Sequence, residues 1–126
     1  HSIQDSNPIR GSICRAARDI AHQVGARAII VESATGKVAR AMVHFRPDVP
    51  IIAVVTSSLV CKKLCLNWGI TALIGEEKKT SDAITKQAME KALSTGYFKK
   101  GDIVVVISSN RTAPTSSTDS LNVRIL

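Results

Sequence analysis

The residues with the clearest potential for chemistry lie in the segment Ser33-Ala34-Thr35-Gly36-Lys37, which follows a run of apolar residues. Hydroxyl groups and the backbone amides of a turn can donate hydrogen bonds to phosphate oxygens. Gly36 would let the backbone approach such a ligand, and Lys37 could place a cation beside it. The segment predicts a phosphate site formed by Ser33, Thr35, Gly36 and Lys37. The alternative is that the hydroxyls act only as helix caps.

A second candidate segment is SSNRTAPTSSTDS, residues 108–120, which has the composition of a loop and is long for a compact domain. Long ordered loops are often functional. This loop supplies a guanidinium group and three hydroxyl groups that could close over an anion held by residues 33–37: Arg111, Ser116, Ser117 and Thr118. The alternative is a flexible hairpin loop without a ligand.

Catalytic residues do not form a recognisable set. The three histidines flank no obvious nucleophile, and adjacent carboxylates occur only at Glu76-Glu77. The sequence has neither a P-loop lysine motif nor the glycine pattern of a dinucleotide site. The residues therefore indicate a binding domain more readily than an enzyme. A free-standing small hydrolase or transferase remains an alternative, and it would require turnover by this segment alone.

The charge of the chain favours anionic partners, because 17 Lys and Arg residues outnumber 10 Asp and Glu residues and give a formal charge of +7. These basic residues are scattered, and only 3% of the residues are aromatic, so the pattern does not predict nucleic-acid binding. We find no signal peptide and no apolar run of membrane-spanning length, and we therefore expect no membrane partner.

The three cysteines, Cys14, Cys61 and Cys65, are an odd number and suggest a reduced, cytoplasmic setting. Cys61 and Cys65 would share one face of a helix, but no histidine has the spacing that would complete a metal site with them. We therefore predict no metal ligands in this segment. We interpret Cys61 and Cys65 as small residues that fill the core.

The chain length and the spacing of apolar residues predict the architecture. At 126 residues the chain fits a single domain, residues 1–126. Helices are predicted over residues 8–24, 36–45 and 59–68 and from a cap at Thr80 or Ser81 to Gly96, and strands over residues 28–31, 51–55, 70–74, 102–107 and 121–126. Most strands alternate with helices, which implies parallel pairing through right-handed crossovers.

The predicted fold class is α/β. We expect a three-layer sandwich with a five-stranded, mostly parallel sheet, an antiparallel C-terminal edge strand and helices on both faces. The last strand is predicted to be antiparallel because no helix precedes it. In such a sheet the carboxyl ends of the parallel strands share one edge. We therefore expect residues 33–37 and the loop at 108–120 to meet at that edge.

Five stretches of the sequence occur in an order typical of one family: ICRAARDIAHQVGARAIIV, TGKVARAMVHFRPDVPIIAV, WGITALI, GYFKKGDIVVVIS and TDSLNVRIL. The second stretch contains a hydroxyl-glycine-basic turn, an arginine-ended helix and a strand of the form RPxxPIIAV. Over essentially its whole length, the chain resembles the C-terminal domain of pyruvate kinase.

The resemblance implies an upstream catalytic (β/α) barrel, which in glycolysis transfers a phosphoryl group from phosphoenolpyruvate to ADP with magnesium and potassium. No catalytic residue and no cofactor is assigned to this segment, because that chemistry belongs to the barrel. The resemblance also implies assembly into a homotetramer and, in many members, binding of a sugar phosphate or nucleotide effector. The effector's phosphate would contact the turn at residues 33–37 and the loop at residues 110–119.

The sequence departs from effector-binding relatives at five positions of the two segments: Ala34, Val38, Asn110, Ser116 and Asp119. A carboxylate at Asp119 would repel a nearby phosphate unless Arg111 or Lys37 offsets it. A purely structural oligomerisation module without effector binding therefore remains an alternative. A free-standing α/β domain that binds a phosphorylated ligand is another.

Overall fold

The computed structural model describes residues 8–109 and 119–126 of the chain. Within these ranges the helices are α1 (Pro8–Val24), α2 (Lys37–His44), α3 (Ser58–Leu64) and α4 (Ser81–Ser94). The strands are β1 (Ala28–Glu32), β2 (Ile51–Val55), β3 (Ile70–Ile74), β4 (Ile103–Ser109) and β5 (Asp119–Ile125). Among the described residues, no helix has both the length and the apolar content needed to cross a bilayer.

The strands form one sheet in the order β3-β2-β1-β4-β5. The first four strands are parallel to one another, and β5 pairs antiparallel with β4 at the edge. This arrangement confirms the predicted fold class. It also places the carboxyl ends of β1, β2, β3 and β4 along a single edge of the sheet.

The central strands are buried on both faces. β1 and β2 have no exposed position, as expected for parallel strands covered by helices. Because successive side chains point to opposite faces, Ile29 and Val31 pack in a cluster with residues of α1, α2 and α3, whereas Ala28 and Ile30 pack with residues of α4. Helices on both faces complete the predicted three-layer sandwich.

Two helices begin with a hydroxyl cap. The Ser57 hydroxyl accepts a hydrogen bond from the Val60 N–H at 3.3 Å at the start of α3. The Thr80 hydroxyl accepts one from the Ala83 N–H at 3.1 Å at the start of α4. Each bond satisfies an amide that has no partner inside its own helix. The structure thus identifies Thr80, rather than Ser81, as the cap of α4.

The predicted extent of α3 is wrong, because the helix ends at Leu64 and not at residue 68. Beyond that point the amides of Leu66 and Asn67 bond to carbonyls three residues back, so the chain tightens. The Asn67 side chain also donates to the Lys63 carbonyl at 3.3 Å. This local bond competes with continuation of the helix.

The interpretation of both cysteines as core residues is half right. Cys61 is half-buried and packs against the cluster beneath α1, α2 and α3. Cys65, by contrast, is exposed. Cys65 is the C-cap of α3, which ends at Leu64.

Candidate phosphate-binding site

The turn at residues 33–37 follows β1 at the carboxyl edge of the sheet, where β1 lies between β2 and β4. Glu32, the last residue of β1, pairs with Val54 of β2 on one side and with Ser108 of β4 on the other. The Ser33 N–H then donates to the Val54 carbonyl at 3.2 Å. The turn is therefore anchored at the place where the fold predicts an anion site.

Hydroxyl groups hold the turn in shape. The Gly36 N–H donates to the Ser33 hydroxyl at 3.1 Å, and the Lys37 N–H donates to the Thr35 hydroxyl at 3.3 Å. Ser33 is buried, whereas Thr35 and Lys37 are exposed. Ser33 is therefore a brace inside the turn, and Thr35 and Lys37 are the predicted site residues that solvent can reach.

Gly36 is required by the geometry of the turn. Its φ of 79° lies in the left-handed region that side chains disfavour, and it precedes α2 at the N-cap position without a side-chain cap. A Cβ added there would lie only 3.1 Å from a methyl carbon of the fully buried Leu64. Packing against α3 therefore explains this glycine, whether or not a ligand approaches it.

Arg40 is a residue of this turn that the sequence interpretation missed. Its guanidinium Nη2 donates to the Thr35 carbonyl at 3.3 Å, and its own amide makes the first intrahelical bond of α2, to the Gly36 carbonyl at 3.0 Å. Lys37 and Arg40 stand three residues apart, so both side chains belong to one helix face. That spacing is the signal that could have identified Arg40.

Three other hydroxyls near this edge, those of Ser57, Ser108 and Ser120, have structural partners. Ser57 caps α3, as the capping interpretation of that junction expects. The Ser108 and Ser120 hydroxyls lie 2.7 Å apart and bridge β4 to β5. The predicted loop at 108–120 is correspondingly shorter, because pairing continues through Ser109 and Asp119. Ser109 and Asp119 are therefore strand residues, although the composition of this segment is typical of a loop.

Four predicted site residues, Arg111, Ser116, Ser117 and Thr118, lie outside the described residues, as does Asn110. Their contacts with the turn stay a prediction. The strands on either side do locate the ends of this segment. Because Ser108 pairs with both Glu32 and Ser120, β4 ends and β5 begins beside the turn at residues 33–37.

A buried polar network next to the turn was also missed. Glu32 is only 8% exposed, and its Oε1 accepts a hydrogen bond from the Gln87 amide at 3.0 Å. The same amide group donates to the Glu76 carbonyl at 2.9 Å and accepts from the Glu76 N–H at 2.7 Å. Gln87 of α4 therefore ties the end of β1 to the turn after β3.

The electrostatics of the edge are mixed. The Glu32 carboxyl group lies one residue before the turn, whereas the cations Lys37 and Arg40, which favour a bound anion, lie at its end and in the first turn of α2. No group of three or more His, Cys, Asp or Glu side chains in the described part of the chain could hold a metal ion. The local chemistry is therefore that of hydroxyls, amides, two cations and the buried Glu32 carboxyl group.

Comparison with known proteins identifies the family. The family model described as "Pyruvate kinase, alpha/beta domain" matches residues 11–124. The chain belongs to this family. It is 36% identical over 121 residues to the pyruvate kinase of Clostridium acetobutylicum. This alignment covers 96% of the chain and 25% of the relative. The chain is 31% identical over 105 residues to the pyruvate kinase of Bacillus licheniformis, covering 83% of the chain and 18% of the relative.

A solved structure shares the fold of this pyruvate kinase α/β domain. The pyruvate kinase of Cryptosporidium parvum, in a complex with ADP, superposes with a TM-score of 0.79 at 21% identity and covers 98% of the chain. The domain spans 24% of that protein and a quarter or less of the two bacterial relatives. The predicted family is confirmed, and the segment corresponds to its α/β domain.

Proposed function

We propose that this chain is the effector-binding and assembly domain of a pyruvate kinase. The reaction, from phosphoenolpyruvate and ADP to pyruvate and ATP in glycolysis, would take place in an upstream barrel that uses magnesium and potassium. Residues 1–126 would act as one domain in a cytoplasmic homotetramer. The observation that supports the effector role is the turn at residues 33–37. This turn combines hydroxyls, a glycine and a lysine, and it lies between β2 and β4 at the carboxyl edge of the sheet.

The phosphate of a sugar phosphate or nucleotide would bind at the exposed side of the turn. Thr35 would turn its hydroxyl from the Lys37 amide to a phosphate oxygen, and Lys37 would add a charge-assisted bond. Arg40, which already bonds to the Thr35 carbonyl at 3.3 Å, supplies a second cation close by. Ser33 would stay the internal brace, because it is buried and bonded to Gly36.

The second half of the site would come from the loop between β4 and β5. Arg111, Ser116, Ser117 and Thr118 are the residues that we expect to contact the ligand there. The ends of that loop lie beside the turn, since Ser108 is paired with Glu32. A ligand held between turn and loop would favour one packing of the domain against its neighbours, and this differential affinity would shift the tetramer towards its active state.

One observation favours a second function. The hydroxyls of Ser33, Thr35, Ser57 and Ser108 all have partners within the domain. A domain that holds subunits together without any effector would need these bonds equally. Sedimentation of the whole protein distinguishes the two functions, because a purely structural domain assembles to the same extent with and without phosphorylated ligands.

The test of effector binding is calorimetric titration of the protein that carries this domain with fructose bisphosphate, ribose phosphate and AMP. We expect heat of binding with at least one of them, and a loss of affinity on the order of 10-fold in Lys37→Ala, the usual size for one charge-assisted bond. Thr35→Glu should abolish binding, because its carboxylate repels phosphate.

Lys79→Ala is the matched control, since Lys79 is an exposed lysine in another turn of the same edge. The effector role is wrong if none of the three ligands gives heat. It is also wrong if Thr35→Glu and Lys37→Ala leave activation of the whole enzyme unchanged.

A further inference from the structure

Two thiols at the C-terminal end of α3, Cys61 in the helix and Cys65 at its C-cap, form a pair that the proposed effector site does not use. Cys61 and Cys65 stand one helical turn apart, and the Cys65 N–H donates to the Cys61 carbonyl at 3.0 Å, which shows that the backbone between them is α-helical. The spacing of four residues places both side chains on the same side of the helix. Cys61 is half-buried, and Cys65 is exposed to solvent.

Helical geometry argues against a disulfide between these thiols. Residues four apart on a helix hold their Cβ atoms about 5–6 Å apart, whereas a disulfide needs about 3.5–4.5 Å. Oxidation would have to open the last turn of α3. That turn carries the fully buried Leu64, which lies against Gly36. A disulfide would therefore disturb packing that the fold depends on.

The same geometry suits a single atom that bridges the two sulfurs. Bonds of about 2.3 Å from one atom to two thiolates hold the sulfur atoms within about 4 Å of each other. Side chains four residues apart on a helix are neighbours, so the two sulfur atoms can approach to this separation. A bridging atom therefore does not require the helix backbone to open.

The protonation of Cys61 also argues against a disulfide. Burial, together with the neighbouring Cys65, raises the pKa of Cys61. Since thiolates are the species that attack disulfides, the raised pKa of Cys61 slows the attack of this thiol on small disulfides. A Lewis acid that binds sulfur displaces the thiol protons as it binds.

We propose that Cys61 and Cys65 form a dithiol modification site for a thiophilic Lewis acid of the monosubstituted trivalent arsenic class. In the reaction two As–O bonds break and two As–S bonds form. Each thiol proton leaves with an oxygen ligand as water, and arsenic keeps its oxidation state. Exposure of Cys65 lets the reagent form its first bond, and Cys61 then closes the ring.

The test uses phenylarsine oxide on the reduced whole protein, followed by tryptic digestion and mass spectrometry. Trypsin cuts after Lys62 and Lys63, which separates the two cysteines. A bridging arsenic would leave the fragments joined, with a mass increase of one phenylarsenic group less two hydrogens. We also expect the bridge to withstand a monothiol concentration on the order of 100-fold higher than a single-thiol adduct does, because the second bond is intramolecular.

Cys61→Ser and Cys65→Ser should each abolish the joined product, whereas Cys14→Ala, which removes the buried thiol of α1, should retain it. Circular dichroism checks that each variant is folded. The proposal is overturned if phenylarsine oxide leaves the fragments separate. It is equally overturned if glutathione disulfide joins them through a disulfide more readily than the arsenical does.

Discussion

At the scale of single residues, Gly36 links the candidate site to the core. Its positive φ gives the turn its shape, and the space where a side chain would stand is filled by Leu64 of α3. The sequence interpretation assigned this glycine to ligand approach. Packing was not considered, because Leu64 is distant in the chain and contacts Gly36 only when α2 and α3 lie on the same face of the sheet.

Gly36→Ala tests this link. We expect a loss of unfolding free energy of about 1–2 kcal/mol from the left-handed backbone, together with a further cost of about 1–3 kcal/mol from the contact with Leu64. Urea denaturation measures the sum. Gly25→Ala is the matched control, because Gly25 has a φ of 69° and no atom within 4 Å of an added Cβ. Equal losses in the two variants would show that the Leu64 contact costs nothing.

Gln87 is the other residue whose importance comes from distant contacts. It bonds to the Glu32 side chain and to both backbone groups of Glu76. Gln87→Met keeps the approximate size of the side chain but removes all three hydrogen bonds. We expect about 2 kcal/mol lower unfolding free energy, because buried polar groups lose their partners.

Thermal or urea denaturation checks the Gln87 prediction. Lys86→Met at the exposed neighbouring position provides the control. If the two variants are equally stable, the network around Gln87 contributes nothing to folding and the turn after β3 must be held by other contacts.

At the scale of elements, the sequence predicts the strands better than the ends of the helices. β2 and β3 match their predicted bounds because Pro50 and Gly69 stand just before unbroken apolar runs. The end of α3 was not predicted because it depends on a side-chain conformation. The Asn67 side chain donates to the Lys63 carbonyl, and the spacing of apolar residues carries no information about this bond.

The turn at the candidate site was predictable, and the network beside it was not. A glycine after two hydroxyls at the end of a buried strand indicates a capped turn. Glu32, however, ends an apolar strand without any local sign of its partner. That partner, Gln87, lies on α4, 55 residues further along the chain, and only the assembled fold brings the two side chains together.

The cap of α4 gives a prediction at this scale. Thr80→Ala should lower the unfolding free energy by about 1 kcal/mol, because the Ala83 amide loses its acceptor at the start of the helix. Ser81→Ala, one residue further on, should change it little. The prediction is contradicted if Ser81→Ala is the more harmful of the two in urea denaturation.

At the scale of the whole molecule, the two edges of the sheet differ in character. The carboxyl edge carries the hydroxyl-rich turns and the cations Lys37 and Arg40. Among the described residues near the opposite edge, Trp68 is 94% exposed and Tyr97 is 72% exposed.

The position of β1 in the sheet has a consequence for how the chain is made. Among the described elements β1 is the first strand in chain order, yet one of its neighbours is β4, the fourth strand. A nascent chain can assemble β1, β2 and β3 early, but the outer edge of β1 stays open until β4 leaves the ribosome. Such non-local pairing slows folding and leaves apolar surface uncovered meanwhile.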